Sequence, residues 1–205
     1  MIGFAHLSLN VIKFESARKE LEKKGFICDF LEKSLPNPIE KKPILNQFER
    51  VHSIALFRNV NSNESIEITC HGNNKFQQRG PYEYSDDKII VKTSNIIKEQ
   101  VFWELAMNFK STQKENQLEF KSIIPKWSCK LEFIEDKTQE PCYLDSQGHT
   151  CLAFLTKDIE ADMKRMVING AFDFCGPFIL NVNKKELKII LARSIGGALI
   201  ELIQI

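Results

Sequence analysis

The chain lacks most of the features that announce a function directly. No run approaches the ~18 consecutive apolar residues of a membrane span, and no basic N-terminal region leads into an apolar stretch with a small-residue cleavage site. The expectation is a cytoplasmic protein with no membrane partner. Charge of one sign is also missing, since 28 Lys and Arg stand against 27 Asp and Glu for a net +1. That leaves no global field to attract nucleic acid. No C-x-x-C pair occurs among the six scattered cysteines, which argues against a structural zinc, a redox motif or a disulfide framework. Phosphate loops of the G-x-x-x-x-G-K-[ST] kind, G-x-G-x-x-G, G-x-S-x-G and H-E-x-x-H are all absent. What remains is an ordinary globular mix, 43% hydrophobic and 27% charged over 205 residues, enough for one large domain or two small ones.

Periodicity reveals a repeated unit. In Phe4-Ala5-His6-Leu7-Ser8-Leu9-Asn10-Val11, Ala5, Leu7, Leu9 and Val11 alternate with Phe4, His6, Ser8 and Asn10, the pattern of a strand with one buried and one polar face. Phe14 to Lys24 changes to helical spacing and ends at Gly25. Strands follow near Phe26 to Phe30, Val51 to Asn59 and Ser65 to Cys70. The C-terminal third repeats this β-α-β-β-β order: His149 to Leu155, a helix from Ile159 to Ile168 closed by Gly170, then strands around Phe178 to Val182, Leu187 to Ala192 and Ala198 to Ile203. Between them, Lys88 to Thr93, a helix over Ile96 to Phe109, and a hairpin of Leu118 to Ile124 with Ser128 to Ile134 form a degenerate middle copy or an insertion. The predicted organisation is α+β, with module 1 over residues 1–75, the middle segment over 85–137 and module 2 over 145–205.

In each terminal unit a histidine opens the first strand and a glutamate interrupts the last one: His6 with Glu67, and His149 with Glu201. A carboxylate inside an apolar strand is costly to desolvate unless a positive group compensates it, and a divalent cation does so well. Imidazole and carboxylate suit Zn, Ni, Co, Mn or Fe. The middle copy has no such histidine, and its Glu132 is a replacement candidate should His6 and Glu67 face that copy. Asn10, Arg58 and Arg193 stand on strands that could line a cavity or face water. His52 and His71, with no counterparts, read as surface or supporting residues, and Glu40-Lys41-Lys42-Pro43 reads as a solvated loop.

The segments from Phe4 to Val11 and from Gly197 to Ile203 resemble the glyoxalase/bleomycin-resistance/dioxygenase superfamily, the vicinal oxygen chelate fold. The resemblance covers about Gly3 to Cys70 and Gly148 to Ile205. It implies a glyoxalase-like, partly open barrel in which His6, Glu67, His149 and Glu201 hold a divalent metal ion and Glu67 or Glu201 acts as catalytic base. The implied activity is that of a lyase, isomerase or epimerase on a small oxygenated metabolite through enolate-type stabilisation. The alternative is a metal-free, ligand-sequestering binding protein of the bleomycin-resistance kind, or an interaction module. The implied partner is a small-molecule substrate or ligand, with a homodimer left open. If neighbouring modules pair, the first would join the middle copy and the four ligands would separate.

Overall fold

Alternation and helix-stop signals translate into thirteen strands and three α-helices among the residues that the computed structural model describes, 1–62, 64–72, 79–85 and 88–205. The proposed end of module 1 at residue 75 lies outside the described residues. The first unit comprises β1 (Gly3–Asn10), α1 (Phe14–Lys23), β2 (Phe26–Pro36), β3 (Val51–Asn59) and β4 (Ser65–Cys70), with a 3₁₀ helix, Ile39–Ile44, between β2 and β3. The middle unit runs through β5 (Tyr82–Ser85), β6 (Lys88–Thr93), α2 (Ile96–Met107), β7 (Lys110–Ser111), β8 (Gln117–Phe120) and β9 (Cys129–Glu135). The last contains β10 (Gly148–Thr156), α3 (Ile159–Ile168), β11 (Phe172–Val182), β12 (Lys185–Arg193) and β13 (Leu199–Gln204).

Local chemistry explains the boundaries. Asn95 and Asp158 cap α2 and α3, each accepting from a backbone N–H three residues on. Gly25 and Gly170 adopt the positive φ (84° and 94°) that lets the chain leave α1 and α3. β2 extends beyond Phe30 to Pro36, because Leu31, Glu32 and Leu35 continue the ladder with β3.

Hydrogen bonding gives all three units one topology: β2-β3-β4-β1, β7-β8-β9-β6 and β11-β12-β13-β10. In each, the first and last strands lie parallel and the remaining pairs antiparallel. The terminal units, not adjacent ones, are joined: β1 runs antiparallel to β10 from Gly3↔Leu155 to Asn10↔Gly148. The middle unit extends from β10 through the pair His149↔Tyr82, beside an isolated bridge between Arg79 and Gln147, and among the described residues the sheet is not closed.

Two side chains depart from simple alternation. A register shift between Phe4 and His6 turns Phe4 away from the expected polar face and into the main core, where its ring meets Phe154 at 5.8 Å. Around it pack Leu7, Phe102, Trp103, Phe109, Phe133 and Leu152, so α2 contributes to the core, while its Leu105 is exposed. Glu99 of α2 is fully buried and accepts hydrogen bonds from Trp103 Nε1 (2.9 Å) and from the backbone N–H of Gly196 (2.7 Å). Tyr82 of β5 donates to the Leu199 carbonyl at 2.9 Å. The middle unit thereby fixes the β12–β13 turn and the start of β13.

Candidate metal centre

The parallel ladders place the acidic residues. Ser8 pairs with Glu67, Ala153 with Glu201, and Ile90 with Glu132, so these three glutamates are equivalent positions of the repeat. Counting two residues back along each first strand, the position of His6 corresponds to Cys151 in the last unit and to Lys88 in the middle one. His149 lies a further two residues back, about 6.6 Å along a strand. Both terminal units open on a histidine, but the two are out of register.

Three of the four expected ligands come together. His6, Glu67 and Glu201 are buried, and one donor atom from each lies within 4.8 Å of the other two. His6 Nε2 is 3.6 Å from a Glu67 carboxylate oxygen and 3.7 Å from one of Glu201. These separations are long for hydrogen bonds, and Nε2 has no hydrogen-bond partner although it is fully enclosed. Donors bound to one ion at about 2.0–2.2 Å stand slightly closer together than this. An orphaned imidazole nitrogen between two buried carboxylates therefore fits a small divalent cation, which satisfies all three at once.

The electrostatics agree. Burial raises the Glu67 carboxyl above its ordinary range, with His6 opposing and Glu201 adding to the rise, while the Ser8 hydroxyl donates to it at 3.3 Å. For His6, burial works downward, but the charge of Glu67 and the Glu201 carboxylate outweigh it and leave the imidazole raised.

His149 is not brought into this group. It sits where β10 meets β5, in a shallow pocket with Arg79, Gly80, Tyr82 and Glu83, and burial lowers its pKa. Glu132 is also elsewhere: Lys88, at the His6 position of the middle unit, forms an ion pair with it, and Gln117 donates to it at 2.6 Å. In the middle copy an ammonium stands where the first copy has an imidazole, so its glutamate has a covalently tethered cation.

His6, Glu67 and Glu201 lie in a cavity of about 410 Å³ between the terminal units. Its aliphatic wall includes Leu180, Val182, Leu187, Ile189, Leu191 and Ile203. Two residues read from sequence as solvated or peripheral line it as well. Lys41 is only 7% exposed, because the 3₁₀ helix turns Lys41 and Ile44 inward together. His52 is 3% exposed and stacks on the equally buried His71, ring centroids 5.2 Å apart. The i, i+3 pairing of Lys41 with an isoleucine, framed by Pro38 and Pro43, was the available signal for that inward turn. By contrast, Asn10 donates to the backbone carbonyls of Asp145 and Ser146. Arg58 pairs with Asp29 on the surface. Arg193 is buried against Asp173, the Cys142 and Gly197 carbonyls and the Tyr143 ring. None of these three lines the cavity.

The sequence matches no family model and no curated protein. Among solved structures, methylmalonyl-CoA epimerase from Mycobacterium tuberculosis aligns over 98% of this chain and 87% of its own, at 15% identity and a TM-score of 0.47. Glyoxalase I from Zea mays aligns over 98% and 67%, at 13% identity and a TM-score of 0.39. An integron cassette protein from the mobile metagenome of V. Cholerae aligns over 60% of this chain and 96% of its own, at 18% identity and a TM-score of 0.41. The fold is glyoxalase-like. This description rests on the chain's own topology, two terminal βαβββ units joined through their first strands. Among the described residues no helix is long and apolar enough to cross a membrane.

Proposed function

We propose that this protein is a metal-dependent lyase, isomerase or epimerase acting on a small oxygenated metabolite, with His6, Glu67 and Glu201 holding the divalent ion. The observation that carries the proposal is the convergence of three buried donors on one point, with His6 Nε2 left without a partner, at the wall of a cavity large enough for a metabolite. Bound there, a divalent ion supplies a Lewis acid for negative charge developing on a substrate oxygen.

The chain's own groups divide the remaining work. Ser8 steadies Glu67, and the Glu201 carboxylate has His6 at 3.7 Å as its ion-pair partner. Glu201 is the less tethered of the two and is assigned as general base, accepting a proton from the carbon beside a substrate carbonyl. If Glu67, whose carboxyl is raised by burial and can carry a proton, gives that proton to the opposite face of the carbon, the product is an epimer; return of the proton by Glu201 to the adjacent carbon gives an isomer. The aliphatic wall excludes water from the site while the proton is held.

The metal-free sequestering reading has one observation in its favour, the predominance of that aliphatic wall. Metal titration separates the two. Protein stripped by chelator and titrated calorimetrically with Zn, Ni, Co, Mn and Fe ions should take up about one ion per chain, His6→Ala and Glu201→Gln should abolish uptake, and His149→Ala should retain it. Wild-type protein that binds none of these ions would end the metal-dependent proposal.

A further inference from the structure

We infer that Lys41 and His52 form a carboxylate-binding subsite in the cavity, so that the ligand of this site is a carboxylic acid with an aliphatic body. The inference deepens the proposed function and rests on it for the charge count alone.

Lys41 is 7% exposed and lines the cavity. Among the described residues no carboxylate forms an ion pair with it; the Phe178 ring lies 5.5 Å from Nζ, and the charges that act on it from further off are those of Glu201 and Glu67. A buried ammonium with no acceptor is expensive to maintain, so it marks a place for a negative group. The second observation is independent of the first. Both ring nitrogens of His52, which lines the same cavity, are enclosed without a hydrogen-bond partner. A neutral imidazole has one N–H to give. Together these side chains offer a charge-assisted donor and a neutral donor to one anionic group.

Charge balance sets the valence of the ligand. Glu67 and Glu201 are the carboxylates whose charge favours the Lys41 ammonium; with a divalent ion bound they are offset by the ion, which leaves Lys41 as the uncompensated charge. Asp29, also on the cavity wall, is engaged by Arg58 at 3.0 Å. The complement is therefore a monoanion. A carboxylate anchored at Lys41 and His52 leaves the rest of the molecule against Leu180, Val182, Leu187 and Ile189.

The test is calorimetric titration with 4-methyl-2-oxopentanoate and, separately, with its methyl ester, using wild-type protein and Lys41→Met, each with metal and after chelation. A buried charge-assisted contact predicts that wild type binds the acid about tenfold or more tightly than the ester. Lys41→Met should bring the acid to the level of the ester and leave ester binding unchanged, with a thermal melt confirming that the variant is folded. If it is not, the acid-to-ester ratio of chelated wild type decides the matter, because no ion is then present to take the carboxylate. Equal binding of acid and ester, or no binding of the acid at millimolar concentration, overturns the subsite. Chelated protein that takes up no metal on reloading yet still prefers the acid would refute the metal reading and leave the subsite standing. Metal uptake without preference for the acid would do the reverse.

Discussion

Lowering the pH from 7 to 5 should weaken this fold through His52 and His71, and the structure sets the size of the effect. Both imidazoles are buried, and no ring nitrogen of either makes a hydrogen bond of good geometry. Burial drives the His52 pKa down to about 3, Lys41 pushes the same way, and the Leu35 backbone works weakly against them. His71 is lowered well below its ordinary value by burial, then by Lys41 and His52. A folded-state pKa below the unfolded value means that stability is intact above about pH 6.5 and is lost as the pH falls toward the folded pKa. One pKa unit corresponds to about 1.4 kcal/mol, so His52, whose folded-state pKa of about 3 lies below the whole interval, should account for about 2 kcal/mol between pH 6.5 and 5, and His71 adds in the same direction. Glu67 and Glu99, raised by burial, act in the opposite sense, which makes a difference measurement necessary. Urea denaturation of wild type and His52→Leu at pH 7 and pH 5 isolates the term. The variant removes an unsatisfied polar ring in favour of hydrocarbon, so its stability relative to wild type should improve by about 2 kcal/mol on acidification. A relative stability that is the same at both pH values would refute the reasoning.

Two further outcomes test the architecture. Gly196→Ala would place a Cβ 2.3 Å from a Glu99 carboxylate oxygen and 2.8 Å from Thr93 Oγ1. Because Glu99 is buried and held by Trp103 and Gly196, we expect a loss of about 2–4 kcal/mol and a lowered melting temperature. Lys88→Met breaks the pair with Glu132 at a partly exposed site, so its cost should stay near or below 1 kcal/mol by denaturant titration, and metal uptake should not change.

Much of the fold was legible because its causes are local. Alternating residues over Gly3–Asn10 and Gly148–Thr156, the helical spacing after Phe14 and Ile159, and the glycines closing two helices each act within a few residues of chain. The regular β-α-β-β-β order followed from these elements, and so did the two glutamates, whose position in the last strand of each terminal unit the ladders reproduce.

His149 stands apart from the other three for a different reason. Strand alternation gives a face but not a register, and a displacement of two residues keeps the face while moving the side chain along the strand. His149 begins its strand as His6 nearly begins its own, yet pairing with β13 places Cys151, not His149, at the matching position. Lys41 and His52 were misjudged because a short 3₁₀ helix and a strand edge bury their residues only against elements distant in sequence, such as β11 with Phe178.

By itself, then, the sequence determined the repeating unit and the acidic positions within it, since both depend on neighbours a few residues away. Tertiary structure alone decided that the first unit joins the last, that three donors and not four converge, and that an ammonium turns inward beside them. Those outcomes depend on hydrogen-bond register and packing between segments more than a hundred residues apart, which no local pattern encodes.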